Sequence, residues 1–298
     1  MHIPVLLQET IDALDLKAGE IYLDGTVGSG GHSAEVVRRL GDSITIIGLD
    51  RDQEAIKRSE ERLRTLGAKF YLRNESFRNL DEVLSELAIP KIDAILLDLG
   101  FSSDQVDSSV LPVGGPGRGF SFQRDEPLDM RMSQEGFTAA DILNSWDEDA
   151  IELILRGFGE EEYSKRIAQM IVERRETKPF KTTFDLVEVV RLAKPHRHYY
   201  KVHPATKTFQ ALRITVNEEL KALEIGLEKG FEALRENGRF AVISFHSLED
   251  RMVKNFFRDK VKDELAKAIN KKPIIAGEEE LKENPRARSA KLRVIEKI

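Results

Sequence analysis

The stretch Ile21-Tyr22-Leu23-Asp24-Gly25-Thr26-Val27-Gly28-Ser29-Gly30-Gly31-His32 decides the fold. A short apolar run ends in an acid and a glycine cluster. Ser33–Leu40 then carries apolar residues at helical spacing. Strand, glycine turn and helix together open a βαβ unit whose turn approaches a ligand. N–H groups at the helix start face a polar or anionic group there. Downstream, Ile44–Leu49 is a β-branched run ending at Asp50, and Gln53–Leu66 reads as a surface helix. Lys69–Leu72 is a third strand, Leu80–Leu87 a helix, and Ile92–Leu99 a strand apolar enough to be buried on both faces. Strands alternating with helices imply a parallel sheet.

The alternation then stops. Ser108–Gly119 is a loop rich in Gly, Pro and Ser, and Gly114–Gly119 within it reads either as a lid or as an ordinary connection. Thr138–Arg175 and Thr183–Ala193 read as helices with no strand between them. Lys194–Thr208 is basic and aromatic. A long helical pattern runs from Phe209 to Asn237 with Gly238 as its stop signal. Arg239–Phe245 is a buried strand, Leu248–Ala268 a helix, and Pro273–Ala276 and Lys291–Glu296 are two late strands that suit a hairpin. The expected fold is therefore α/β and Rossmann-like, with a mostly parallel sheet and an inserted helical domain. Residues 1–107 and 207–298 form the sheet domain and 108–206 the insertion.

Asp24, Gly28, Gly30 and Asp50 make the ligand site in this reading. Asp50, at the end of the second strand, is placed to accept hydrogen bonds from both hydroxyls of a ribose. A dinucleotide fingerprint is incomplete, because the third glycine of G-x-G-x-x-G falls on Ser33. A cofactor without phosphate tolerates a loop that begins with an acid. Asp24 then suits the ammonium of a methionine, which points to S-adenosylmethionine. His32 either touches the carboxylate end of that cofactor or caps the helix, and its chemistry alone favours the cap. Asp98, at the end of the fourth strand, faces the same crevice. Ser102 and Ser103 assist there or cap the next helix, and Phe77 sandwiches an adenine or fills the core.

Composition narrows the chemistry. The 298-residue chain has no cysteine, so it offers no disulfide, no thiolate nucleophile and no Cys-bound zinc, and no metal site is expected. The first ten residues carry no signal-peptide pattern, and no apolar run approaches the ~20 residues of a membrane helix. A cytoplasmic protein with no membrane partner is the expectation. The net charge of −6 hides a local asymmetry: Arg191 to Arg213 holds six Lys/Arg, three His and no acid. With Tyr199 and Tyr200, that segment suits phosphate contact and base stacking, and Arg286, Arg288, Lys291 and Arg293 extend the patch.

Several motifs now coincide. His2-Ile3-Pro4-Val5-Leu6, Asp24–Ser33, Asp98–Ser103, Gly119-Phe120-Ser121-Phe122, Pro127-Leu128-Asp129-Met130-Arg131-Met132 and Ser244-Phe245-His246-Ser247-Leu248-Glu249-Asp250 resemble the bacterial 16S rRNA (cytosine-N4) methyltransferases of the MraW/RsmH type. The resemblance runs from residue 2 to the C-terminus. It departs at Ser108–Gly117, which is longer than usual there. It implies a class I methyltransferase that methylates the N4 amine of a cytidine in the decoding region of 16S rRNA. It also implies that Gly30, Gly31, His32, Asp50, Phe77, Asp98 and Gln105 contact S-adenosylmethionine. The implied partner is 16S rRNA within a 30S particle, and a homodimer stays open.

The missing cysteine closes the covalent route used for methylation at cytosine C5. An exocyclic amine needs only in-line attack and a nearby oxygen to take a proton, and Asp98, Ser102 and His246 are the candidates. Two alternatives share parts of the pattern. One is an NAD-dependent oxidoreductase, and the other is a non-catalytic RNA-binding protein on a methyltransferase fold.

Overall fold

A computed structural model describes residues 4–100, 117–133, 135–195 and 202–298. The chain divides into two compact units, Met1–Gly100 with Leu220–Ile298, and Phe101–Glu219. The first unit holds a seven-stranded sheet: β1 (Ile21–Asp24), β2 (Thr45–Leu49), β3 (Lys69–Arg73), β4 (Ile92–Asp98), β5 (Leu234–Ser244), β6 (Ala266–Ala268) and β7 (Lys291–Lys297). The spatial order is β3-β2-β1-β4-β5-β7-β6. Strands β1 to β5 are parallel; β7 runs antiparallel to β5, and β6 antiparallel to β7. The order reverses between β1 and β4, and a crevice opens at the carboxyl ends of strands at such a point.

Strand alternation divides the core between two faces. Leu23, Ile95 and Leu97 pack with helices α4 (Leu80–Glu86), α10 (Glu219–Ala233) and α11 (Ser247–Lys262). Tyr22, Ala94 and Leu96 pack on the opposite face, against α1 (Leu7–Leu14) and α2 (Gly31–Leu40). Helix α3 (Gln53–Thr65) joins this face through Leu63. The apolar positions Leu7, Ile11 and Leu14 recur at helical spacing, and Ile11 and Leu14 are buried.

Three late elements differ from the sequence expectation. The helical pattern from Phe209 is two helices, α9 (Thr206–Asn217) and α10, broken at Glu218 with φ 50°. Helix α10 ends at Ala233, not at Asn237, because Leu234 already pairs with Ile92 of β4. Gly238 belongs to the irregular register that follows: a Cβ there would lie 2.9 Å from the carbonyl oxygens of Arg235 and Asp93. Helix α11 stops at Lys262, since Glu264 turns left-handed at φ 58° and Ala266–Ala268 pairs with β7. The late hairpin is therefore β6–β7, and Ile274 contributes a single bridge to Leu292 in place of a strand.

The second unit is helical: α5 (Ala139–Ser145), α6 (Glu148–Gly159), α7 (Ser164–Arg175), α8 (Thr183–Ala193) and α9 surround one apolar core. The Pro127–Met132 motif is a structural clamp in it. The Asp129 carboxylate accepts from Arg131 Nε at 2.7 Å and Nη2 at 2.8 Å. Asn217 donates to Met130 O at 2.8 Å and accepts from Met132 N at 2.8 Å. Met130 sits at φ 63°, a conformation most side chains avoid, and these bonds hold it there.

Candidate active site

Three carboxylates stand at the carboxyl edge of the sheet: Asp24 ends β1, Asp50 follows β2 and Asp98 ends β4. Each is held by neighbours that the strand–turn–helix sequence supplies. Asp24 is buried, and its Oδ2 accepts from Ser33 Oγ at 2.7 Å. The glycine loop follows, with Gly28 at φ 51° and Gly30 at φ 73°. Gly30 is the N-cap of α2 and carries no side-chain cap. At Gly31 a Cβ would come within 2.3 Å of Pro4 Cγ, so the loop packs tightly on the N-terminal segment. Asp50 closes the loop from the other side: Oδ2 accepts from Gly28 N at 2.9 Å and Oδ1 from Asp52 N at 2.8 Å.

His32 is not the cap of α2, because Gly30 occupies that position. Its Nε2 lies 3.1 Å from Val5 O, and its Nδ1 lies 3.7 Å from Asp98 Oδ2. The imidazole thus links the N-terminal segment to the fourth strand. Asp98 N donates to Thr26 Oγ1 at 2.7 Å, which ties β4 to the glycine loop. Asp98 Oδ1 is buried and has no hydrogen-bond partner among the described residues. Sequence reasoning missed Thr26 and Ser33: the Thr26 bond depends on β1 and β4 being neighbours, and the Ser33 bond on where α2 starts relative to the end of β1.

Burial dominates the electrostatics. Desolvation pushes the Asp24 carboxyl up to about 6 against the bonds from Ser33 and Thr26, and the charge of Asp50 adds to the rise. Desolvation likewise lifts Asp50 to about 6, opposed by the N–H groups of Asp52 and Gly28. Asp98 is raised well above the carboxylate range by desolvation, then by Asp24 and Glu249. Charges of one sign crowded into a dry edge favour a ligand that brings the opposite sign. The cationic ends of S-adenosylmethionine fit that demand. The pyrophosphate of a dinucleotide does not.

Other sequence candidates are placed less favourably. Phe77 opens a short 3-10 turn, and its ring lies where a Cβ on Gly226 would come within 2.5 Å, so it packs closely on α10. His246 caps α11: Nδ1 accepts from Glu249 N at 3.4 Å, and Glu249 returns bonds to the N–H groups of Phe245 and His246. Its Nε2 lies 3.1 Å from Glu249 Oε1. Ser102, Ser103 and Gln105 lie outside the described residues, as does most of Ser108–Gly119.

The basic patch is smaller than the sequence suggests. Lys194 is buried, pairing with Glu161 at 2.7 Å, so it is a strut and not a phosphate contact. Arg213 is bound by both oxygens of Glu219. Lys291 and Arg293 both bind Asp250. Arg191, Lys207, Arg286 and Arg288 remain exposed, while Arg197, Tyr199, Tyr200 and Lys201 lie outside the described residues.

The sheet order and the acid-lined edge are those of an S-adenosylmethionine-dependent methyltransferase. The family model of the MraW methylases matches residues 1–298, and the chain belongs to that family. A ribosomal RNA small subunit methyltransferase H from Carboxydothermus hydrogenoformans is 45% identical over 313 residues, spanning 100% of this chain and 98% of the relative. Its counterpart from Acetivibrio thermocellus is 47% identical over 316 residues, spanning 100% and 99%. Among solved structures, an S-adenosylmethionine-dependent O-methyltransferase from Thermotoga maritima aligns with TM-score 0.43 at 13% identity, over 100% of this chain and 68% of that one.

The buried acids set a stability prediction. A carboxyl raised in the folded state binds a proton that the unfolded chain has already lost, so stability falls as pH climbs towards the raised value. For Asp24 and Asp50, raised to about 6, that loss falls between about pH 4 and pH 6.5. Calorimetry at pH 4.5 and 6.5 should show a Tm loss that is smaller in Asp50→Asn than in the unmodified protein. An identical loss in both contradicts the placement of Asp50.

Proposed function

We propose that this protein transfers a methyl group to the exocyclic N4 amine of a cytidine in the decoding region of 16S rRNA, on a 30S particle in the cytoplasm. The observation that carries the reading is Asp98, a half-buried carboxyl at the sheet edge whose buried Oδ1 has no hydrogen-bond partner among the described residues. The family membership supports the RNA substrate, since the relatives are named as small subunit ribosomal RNA methyltransferases. No helix among the described residues is long and apolar enough to cross a membrane. One copy suffices for the chemistry, because all three carboxylates come from one chain.

S-adenosylmethionine supplies an activated methyl group when bound. Asp24 holds the ammonium and Asp50 the ribose hydroxyls. Gly30, Gly31 and His32 line the methionine end, Phe77 the adenine side, and Gln105 joins them. Asp98 accepts the proton released by the amine, and Ser102 and His246 orient that amine. Such positioning contributes several kcal/mol, up to about 7–11 where alignment is good. The target base must leave its stack to reach the edge. The helical unit, proposed as the insertion that recognises RNA, presents Arg191 and Lys207 for its phosphates.

Mass mapping of nucleosides after reaction with 30S particles and with naked rRNA tests the assignment. The expected product is one N4-methylcytidine, formed on particles. Methyl on C5 or on another base overturns it. Asp98→Asn should lower single-turnover transfer at saturating cofactor by about 100-fold or more, the scale of a missing proton acceptor. His246→Asn keeps a good cap, so turnover that falls while Tm holds assigns the ring to chemistry; full turnover leaves it a cap.

Phosphate binding is read from salt dependence. Arg191→Glu combined with Lys207→Glu should flatten the plot of log affinity against log salt by about 0.7 for each phosphate no longer neutralised. An unchanged slope places the RNA elsewhere.

A further inference from the structure

Leu6 is buried, yet its backbone lies at φ 52° and ψ 39°, a left-handed conformation that a leucine rarely adopts. Such a residue persists where its surroundings fix it. The Leu6 side chain packs in one core with Val5, Val36, Ala287 and Ala290. Its carbonyl accepts from Thr10 N at 2.9 Å and opens α1. Its N–H donates to Glu280 Oε1 at 2.7 Å, and that N–H would be costly to bury without an acceptor. Glu280 lies 274 residues away, a half-buried residue of α12 (Glu278–Glu283). The turn after α12, Pro285–Ser289, is pinned by the buried Ala287. The acceptor is therefore anchored to the same core as Leu6.

The segment ahead of Leu6 rests on the start of α2. Val5 O lies 3.1 Å from His32 Nε2. Gly28 and Gly30 have a left-handed backbone, whereas Gly31 is helical. What keeps a side chain from position 31 is Pro4, whose ring fills the space a Cβ would need. Pro4 and Val5 thus form a wall against Gly31 and His32, and the bond from Leu6 to Glu280 fixes where that wall stands. We propose that Glu280 is a positioning residue for the cofactor: its carboxylate sets the Pro4–Leu6 segment, and that segment sets Gly31 and His32 at the methionine end. The proposal rests on the methyl-transfer reading for its ligand. Glu280 acts through Leu6 and not by contact with a ligand. A purely structural bond would move Tm alone. A positioning role moves cofactor affinity, while Asp98, held on β4, keeps its place.

The test compares Glu280→Met, similar in shape but without an acceptor, with Glu280→Gln, which keeps an oxygen for the Leu6 N–H. In Glu280→Met, the calorimetric Kd and the KM for S-adenosylmethionine should both rise about three- to tenfold, the range set by one lost hydrogen bond. The kcat and the KM for 30S particles should not change, and Glu280→Gln should restore the affinity. Amide hydrogen exchange gives a readout independent of activity. Leu6 should exchange faster in Glu280→Met, and Val242 of β5 should not. Glu280→Asp, whose shorter arm withdraws the carboxylate, replaces Glu280→Met if the latter fails to fold, with the same rise expected. Unchanged affinity, an equal loss in Glu280→Gln, a fall in kcat or unaltered exchange at Leu6 overturns the proposal alone. If the unmodified protein binds no S-adenosylmethionine, the cofactor reading fails and the proposal falls with it.

Discussion

The crowding of Asp24, Asp50 and Asp98 at one dry sheet edge is the constraint around which the first unit is arranged. A buried carboxylate is costly unless donors or a cation satisfy it. Donors satisfy two of them in part: Ser33 for Asp24, and the N–H groups of Gly28 and Asp52 for Asp50. Those donors exist because the chain turns back through left-handed glycines into α2 and α3. Among the described residues, the Asp98 carboxylate meets only the imidazole of His32. The fold therefore retains an electrostatic deficit at the point where strand order reverses, one that the positive charge of the proposed ligand would offset. Strain and misfit of this kind concentrate at sites that bind.

Several residues that look functional in sequence are occupied structurally. The Pro127–Met132 run reads as a motif because it clamps the helical unit through Asp129, Arg131 and Asn217. Lys194 and Arg213 lie within a basic stretch, yet each is neutralised by a glutamate of its own unit. His246 starts a helix with Glu249 as its reciprocal partner. Burying a residue in such a bond does not forbid chemistry, but it sets a structural cost on replacing it. That is why Asn, which keeps the cap, is the informative exchange at His246.

Much of the fold was legible. The first four strands fall within a residue or two of their expected positions, because buried parallel strands are continuous apolar runs flanked by turns. The positions of Gly30 at the start of α2 and of Asp50 after β2 were legible for the same reason, since their spacing follows from strand–turn–helix geometry. The failures share a cause. Leu234–Gly238 continues a helical periodicity, and only its partner Ile92 makes it a strand. Ala266–Ala268 is too short to signal itself and exists through β7. The contact from His32 to Val5 and Asp98 joins three separate segments, so no local pattern announces it. Pairings of that kind are tertiary facts.

In the proposed reading the acid-lined edge selects a cationic cofactor, and thermal unfolding with S-adenosylmethionine or NAD, each at matched excess near pH 7.5, tests this most directly. A ligand at about 100 times its Kd stabilises by roughly 2.7 kcal/mol, which is readily seen as a rise in Tm. The expected result is that rise with S-adenosylmethionine and none with NAD. Stabilisation by NAD, or by neither ligand, would contradict it.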